Sequence, residues 1–170
     1  IYPTDHQDLA TGAHMRGIAL TGLGRYDEAL ALHDQGIAIE TRLFGDNLGQ
    51  VALSNCFRAL TEIRAGRGVG ALAAVARADE LATRHLAGNT AIAGVVTLLR
   101  ALALESAARY DEAGAAFSAF EPTARTVFGS GTEMAMTLDG LGRDLVRKGR
   151  PAEAVPRHAE ALAMFESHYG

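Results

Sequence analysis

Three glycine-rich stretches invite a phosphate-binding reading: GLGRYD at Gly22–Asp27, GRGVGA at Gly66–Ala71 and GLGRDL at Gly140–Leu145. Glycine lets backbone N–H groups approach an anion closely, above all where a helix begins. None of the three has the G-x-G-x-x-G spacing after a strand that dinucleotide binding needs. They are read instead as helix ends and close helix contacts. The six histidines are His6, His14, His33, His85, His158 and His168. No pair stands at the i, i+4 spacing of helical metal ligands, and none lies beside a cysteine or carboxylate cluster with metal spacing. No metal and no cofactor is expected.

The elements that must position these residues come from a repeat. The pentapeptide RYDEA occurs at Arg25–Ala29 and again at Arg109–Ala113. Anchored at Gly24 (GRYDEA), the same register continues at Gly66 (GRGVGA), Ala108 (ARYDEA) and Gly149 (GRPAEA), with separations of 42, 42 and 41 residues. Four units at one period indicate a solenoid. Small residues recur seven before the anchor (Gly17, Ala59, Ala101, Gly142) and fourteen before it (Ala10, Ala52, Gly94, Ala135). Alanine stands five after it every time, at Ala29, Ala71, Ala113 and Ala154. Glycine closes the units at Gly45, Gly88, Gly129 and Gly170.

Each unit reads as two helices. Leu53, Phe57, Leu60 and Ile63 follow helical spacing in the first helix of unit two. The anchor glycine ends that helix in a left-handed cap. Acidic residues or Pro151 then open the second helix, where the dipole favours negative charge and a missing N–H costs nothing. The small columns let paired helices approach. The predicted helices run 5–23, 26–44, 47–64, 68–87, 90–107, 110–128, 132–148 and 151–168. Pro122 falls mid-helix and is expected to kink or split its helix. His33 and His158 share one column, where units two and three carry Val75 and Phe117, and are read as packing rings.

This register also weighs the thiol. His14 and Cys56 share a column one unit apart, and stacked helices hold matching columns about 10 Å from each other. That is too far for a hydrogen-bonded dyad, and no orienting acid is evident. Cys56 is therefore read as a buried or groove-lining thiol, and no catalysis is expected. Arg16, Arg58 and Arg100 recur at 42-residue steps. They form either an anion-binding ladder or, as favoured here, pair with acids at helix starts such as Glu28 and Glu112 or extend their stems over apolar surface.

The sequence GRYDEALALHDQGIAIETRLFG, Gly24–Gly45, and the segment PTDHQDLA, Pro3–Ala10, resemble the tetratricopeptide repeat. The form is the long 42-residue one of kinesin light chains and many bacterial signalling proteins. The likeness spans the chain, closest in units one and four, looser in three and loosest in two, where Gly68 replaces tyrosine. It implies an all-α, right-handed superhelical solenoid in a single domain, with repeats at 5–45, 47–88, 90–129 and 132–170. It further implies an inner curve lined by the first helices. Carried over, that face is Thr11, His14 and Ile18, then Leu53, Cys56 and Leu60, then Val95, Leu98 and Leu102, and finally Met136, Asp139 and Arg143. Such a groove fits an amphipathic helix or an extended apolar peptide. The alternative is that this face packs against the chain itself. The family's inner asparagines are mostly absent here.

Composition narrows the partners. The chain has 170 residues, 48% apolar and 21% charged, with net charge -4 and dispersed basic residues, so no nucleic-acid footprint exists. No apolar run reaches membrane-spanning length. One cysteine fits a reducing compartment, and a cytoplasmic location is expected. The start at Ile1 and the end at Gly170 are read as a piece of a longer protein. The expected function is a non-catalytic protein–protein interaction scaffold that binds a protein or peptide. Two other readings stay open: the sensing segment of a larger bacterial regulator (kinase, NTPase or transcription factor), and a self-assembly module. The last follows from Val155, Leu162, Met164 and Phe165, which no further helix covers, and gives a homo-oligomer through the terminal helices.

Overall fold

The computed structural model describes residues 6–45 and 49–170. Among these, eight helices and no strand occur: α1 (Gln7–Gly22), α2 (Tyr26–Phe44), α3 (Gly49–Arg64), α4 (Gly68–His85), α5 (Thr90–Ser106), α6 (Tyr110–Phe128), α7 (Thr132–Arg147) and α8 (Pro151–Tyr169). The expected boundaries hold to within two residues, save that residues 5, 47 and 48 lie outside the described part.

One turn joins the helices of every unit. Gly24, Gly66, Ala108 and Gly149 all take positive φ, at 74°, 72°, 59° and 72°. The next N–H reaches five residues back, from Arg25 to Leu20, Arg67 to Glu62, Arg109 to Leu104 and Arg150 to Leu145, at 2.8–2.9 Å. The anchor N–H itself bonds the carbonyl three residues back. This double bond satisfies carbonyls that the helix end leaves open. The arginine after the anchor then forks onto an acid. Arg25, Arg109 and Arg150 each hold the glutamate three residues on, at 2.6–2.7 Å. Unit two has Gly70 at that position, and Arg67 turns instead to Asp27 of unit one at 2.6 Å.

Each first helix packs on its own second helix, and each second helix packs on the first helix of the next unit. First helices also meet one another: α1 with α3, α3 with α5, and α5 with α7. Among the described residues no second helix packs on another. Only long side chains span that side, as Arg125–Glu160 and Arg157–Glu121 do between α6 and α8. The second helices therefore splay, and the first helices line the inside of the curve.

The main core runs from α3 to α8 and centres on Phe117, Met134 and Leu138, with a smaller group at Val51, Ala52, Leu81 and Ala82. The small columns Ala10, Ala52, Ala59, Ala101 and Ala135 are fully buried, as close helix approach requires.

Pro122 does not split its helix, contrary to one expectation. The α6 helix runs through it, and α8 runs through Pro156. Both prolines face solvent, where water can take the freed carbonyl. Met164 and Phe165, expected to be bare, are half-buried against the main core, whereas Val155 and Leu162 stay exposed.

Candidate functional site

The inner surface does not present all twelve residues assigned to it. Its three residues per helix fall on three columns, and the central one turns inward in units one to three. His14, Cys56 and Leu98 are 2%, 6% and 3% exposed, and only Asp139 of that column is half-buried. Leu102 is buried as well. The face left open consists of Thr11 and Ile18, which are exposed, and Leu53, Leu60, Val95, Met136, Asp139 and Arg143, which are half-buried. The first helices are rotated so that their middle column plugs the gap to the second helices. A sequence column alone does not fix that rotation.

Between α1 and α3 the open face forms a pocket of about 260 Å³. Ile18, Phe57 and Leu60 give it apolar walls, Thr21 and Thr61 add two hydroxyls, and Arg64 lines it too. The threonine hydroxyls lie 2.8 Å apart and each is also within reach of a carbonyl one turn back, Gly17 at 2.9 Å and Phe57 at 3.1 Å, so their two protons serve three contacts. Their hydrogen-bonding capacity is thus largely spent, which makes the pocket apolar in character.

The other end of the inner surface is closed by charge. Arg143 forks onto Glu105 at 2.7 and 2.9 Å and also pairs with Asp139. Arg147 bonds Glu105 as well and lies 4.3 Å over the Tyr110 ring. Burial alone would raise the Glu105 carboxyl, but the hydrogen bonds from Arg143 and Arg147 outweigh it and hold the group below the usual carboxylate range. Asp139 further binds His158 Nδ1 at 2.9 Å.

Two of the three ladder arginines, Arg58 and Arg100, are engaged in ion pairs within the chain. Arg58 pairs with Asp34 at 2.8 Å and Arg100 with Asp79 at 2.6 Å. Both acids come from the second helix of the preceding unit, not from helix starts. Arg16 is exposed, and its charge acts on Glu28 across α1 and α2.

Sequence reasoning missed a buried polar cluster under the first pocket. His14 Nδ1 and His33 Nδ1 lie 3.2 Å apart, with Phe57 against both rings. His14 Nε2 stands 3.5 Å from Glu40 Oε1, and Ser54 Oγ donates to Glu40 Oε2 at 2.7 Å. Burial, then the neighbouring His14, lowers the His33 pKa to about 4. The imidazoles sit in glycine slots: a Cβ on Gly17 would lie 2.6 Å from the His33 ring, and one on Gly36 2.5 Å from His14. His158 occupies the same kind of slot over Gly142. The sequence signal was present, since histidine nine after the anchor goes with glycine seven before it. Units two and three pair Val75 with Ala59 and Phe117 with Ala101 at those positions.

The thiol of Cys56 is pushed up to about 12 by burial, which leaves it protonated and non-nucleophilic at neutral pH. His14 faces His33 rather than this thiol. Among the described residues no group of three histidine, cysteine or acidic side chains is placed to hold a metal, and no helix is long and apolar enough to cross a membrane.

A tetratricopeptide-repeat family model matches residues 9–47 and 134–170, which fall in units one and four. Similar solved structures include the nearly identical TPR-like repeats of a Podosopora anserina protein described as a kinesin light chain. That chain is 16% identical with a TM-score of 0.68, over 99% of this chain and 80% of the other. A MamA RS-1 double mutant is also 16% identical, with a TM-score of 0.57 over 95% of this chain and 78% of that one. No curated protein sequence matches significantly. Four helical pairs on a 42-residue step, one shared left-handed turn and these likenesses together make the fold that of a tetratricopeptide-repeat solenoid, with the family's repeat model matched in units one and four.

Proposed function

We propose that this chain is a protein-interaction scaffold that holds a peptide or partner helix on its inner surface, seated at the pocket between α1 and α3. The observation that carries this reading is the pocket itself, an apolar depression of about 260 Å³ on the side where the first helices converge. Ile18 is 40% exposed at its edge, a large apolar side chain left for a partner to cover. The cavity suits one or two bulky side chains of an amphipathic helix. The ion-paired end at Glu105, Asp139 and Arg143 offers no apolar seat, so the contact is centred on units one and two. Such a groove binds at about micromolar strength, roughly -8 kcal/mol. The reading assigns no catalysis.

The experiment is selection of binders from a displayed peptide library, followed by titration of a selected synthetic peptide into wild type and into Leu60→Asp. Both positions near the pocket edge, Ile18 and Leu60, are partly exposed, so the substitution keeps the fold, which circular dichroism verifies. Saturable binding lost in Leu60→Asp supports the reading. Peptides that bind Leu60→Asp as tightly as wild type would sink it.

A further inference from the structure

We infer that Arg64 selects the partner: the helix seated at the pocket between α1 and α3 carries a carboxylate one turn from its apolar anchor. This rests on the reading of the pocket as a partner's seat. The chain supplies its own template for the missing group. Between α5 and α7, Arg147 and Arg143 stand two and six positions before their turn residue, and Glu105 stands three before the turn residue of the preceding unit. Both arginines hold that carboxylate. In the same register, the α3 and α5 positions are Ser106, Leu102 and Ile63, which carry no charge. Those of α1 and α3 are Arg64, Leu60 and Thr21, and all three line the pocket. Here the arginine is kept and its acid is gone.

Nothing within the chain answers this charge. Arg64 is exposed, and no acid among the described residues pairs with it. Arg25 and Arg67 on the adjoining turns already hold Glu28 and Asp27. Thr21, in the place of Glu105, is neutral, and its hydroxyl is engaged with Gly17 and Thr61. A carboxylate brought in by a partner can take both arms of the guanidinium, in a contact that the partner itself shields from water. The spacing sets the partner's pattern. Leu60 and Arg64 are four residues apart on α3, one turn and about 6 Å. A helix lying beside α3 matches them with a bulky apolar residue and an acid four positions on. A basic residue there would set like charge against Arg64.

The probe is a displayed library of alanine-based helical peptides of about 20 residues. One bulky apolar position is varied, and Glu, Gln or Lys stands four residues after it. Wild type is expected to bind the Glu form about three- to tenfold more tightly than the Gln form, and the Lys form least. The preference shrinks as salt rises from about 0.05 to about 0.5 M. Arg64→Gln is expected to bind the Glu and Gln forms alike, and Arg64→Glu to prefer the Lys form. Arg64 is exposed and unpaired among the described residues, so both variants stay folded, as circular dichroism checks. Equal binding of the Glu and Gln forms by wild type, with binding still lost in Leu60→Asp, overturns this inference and leaves the pocket reading standing. A Glu preference that persists in Arg64→Gln overturns it too. Binding that Leu60→Asp leaves untouched removes the seat itself, and this inference with it.

Discussion

His33 and Gly17 act as one unit, a flat ring seated on a residue with no side chain. Alanine is normally the better helix former by about 1 kcal/mol. At Gly17 the ring contact overrides that gain, because His33 is fully buried and has nowhere to move. Gly17→Ala is expected to destabilise the fold by about 1–3 kcal/mol. Gly12→Ala, one turn away in the same helix and open to solvent, is expected to stabilise it by about 0.5–1 kcal/mol. Urea melts of the two variants at low protein concentration check the opposite signs. The same ring gives the molecule an acid response. Its folded pKa of about 4 lies below the ordinary 6.5, so the unfolded chain binds a proton that the folded chain refuses between those values. Stability from this group is complete above pH 6.5 and is lost as pH falls towards 4. His14, Asp34, Arg58 and, through His14, Glu40 face it and set the depth of the effect. His33→Phe, which copies the residue of unit three, is expected to flatten the fall in melting temperature between pH 7 and 4. An unchanged slope would remove His33 as the cause.

At the scale of the element, the turn inside each unit is the fixed part of the repeat. Three units place glycine at its positive-φ position, and unit three places Ala108 there at 59°, the one non-glycine with positive φ among the described residues. A left-handed alanine costs about 1–2 kcal/mol, and glycine returns about 0.4–1 of that through its freer unfolded chain. Ala108→Gly is therefore expected to stabilise by about 0.5–1 kcal/mol, read as a higher urea midpoint at unchanged slope. The arginine after the turn behaves as an adaptable partner, since it forks onto its own helix where glutamate is available and reaches the neighbouring unit where Gly70 stands instead. These pairs are exposed and add little to stability. Their regularity marks register rather than strength. Helix existence and boundaries were legible because turn glycines, helix-opening acids and apolar spacing are all local signals. The continuity of α6 through Pro122 was not, since it depends on that position facing water.

For the whole molecule, stability accrues between neighbouring helices. Native-state hydrogen exchange is expected to show α8, which buries Ala154 and Ala161 alone, opening more readily than α4, α5 and α6, which bury five to eight residues each. Uniform protection across all eight helices would contradict this. The sequence by itself determined the number of helices, their pairing and the step of the repeat. Each of these follows from residue type at fixed separation along the chain, which no later packing alters. It also determined that the small columns serve contact. Only the tertiary structure decided how far each first helix turns about its own axis. That rotation buries His14, Cys56 and Leu98, leaves Ile18 and Leu60 around an apolar pocket, and closes the far end with Glu105 and Arg143. The physical reason is that a column names a direction relative to its own helix. Which neighbour lies in that direction depends on side chains that arrive from helices 16 to 42 residues away, such as His33 on Gly17 and Arg147 on Glu105.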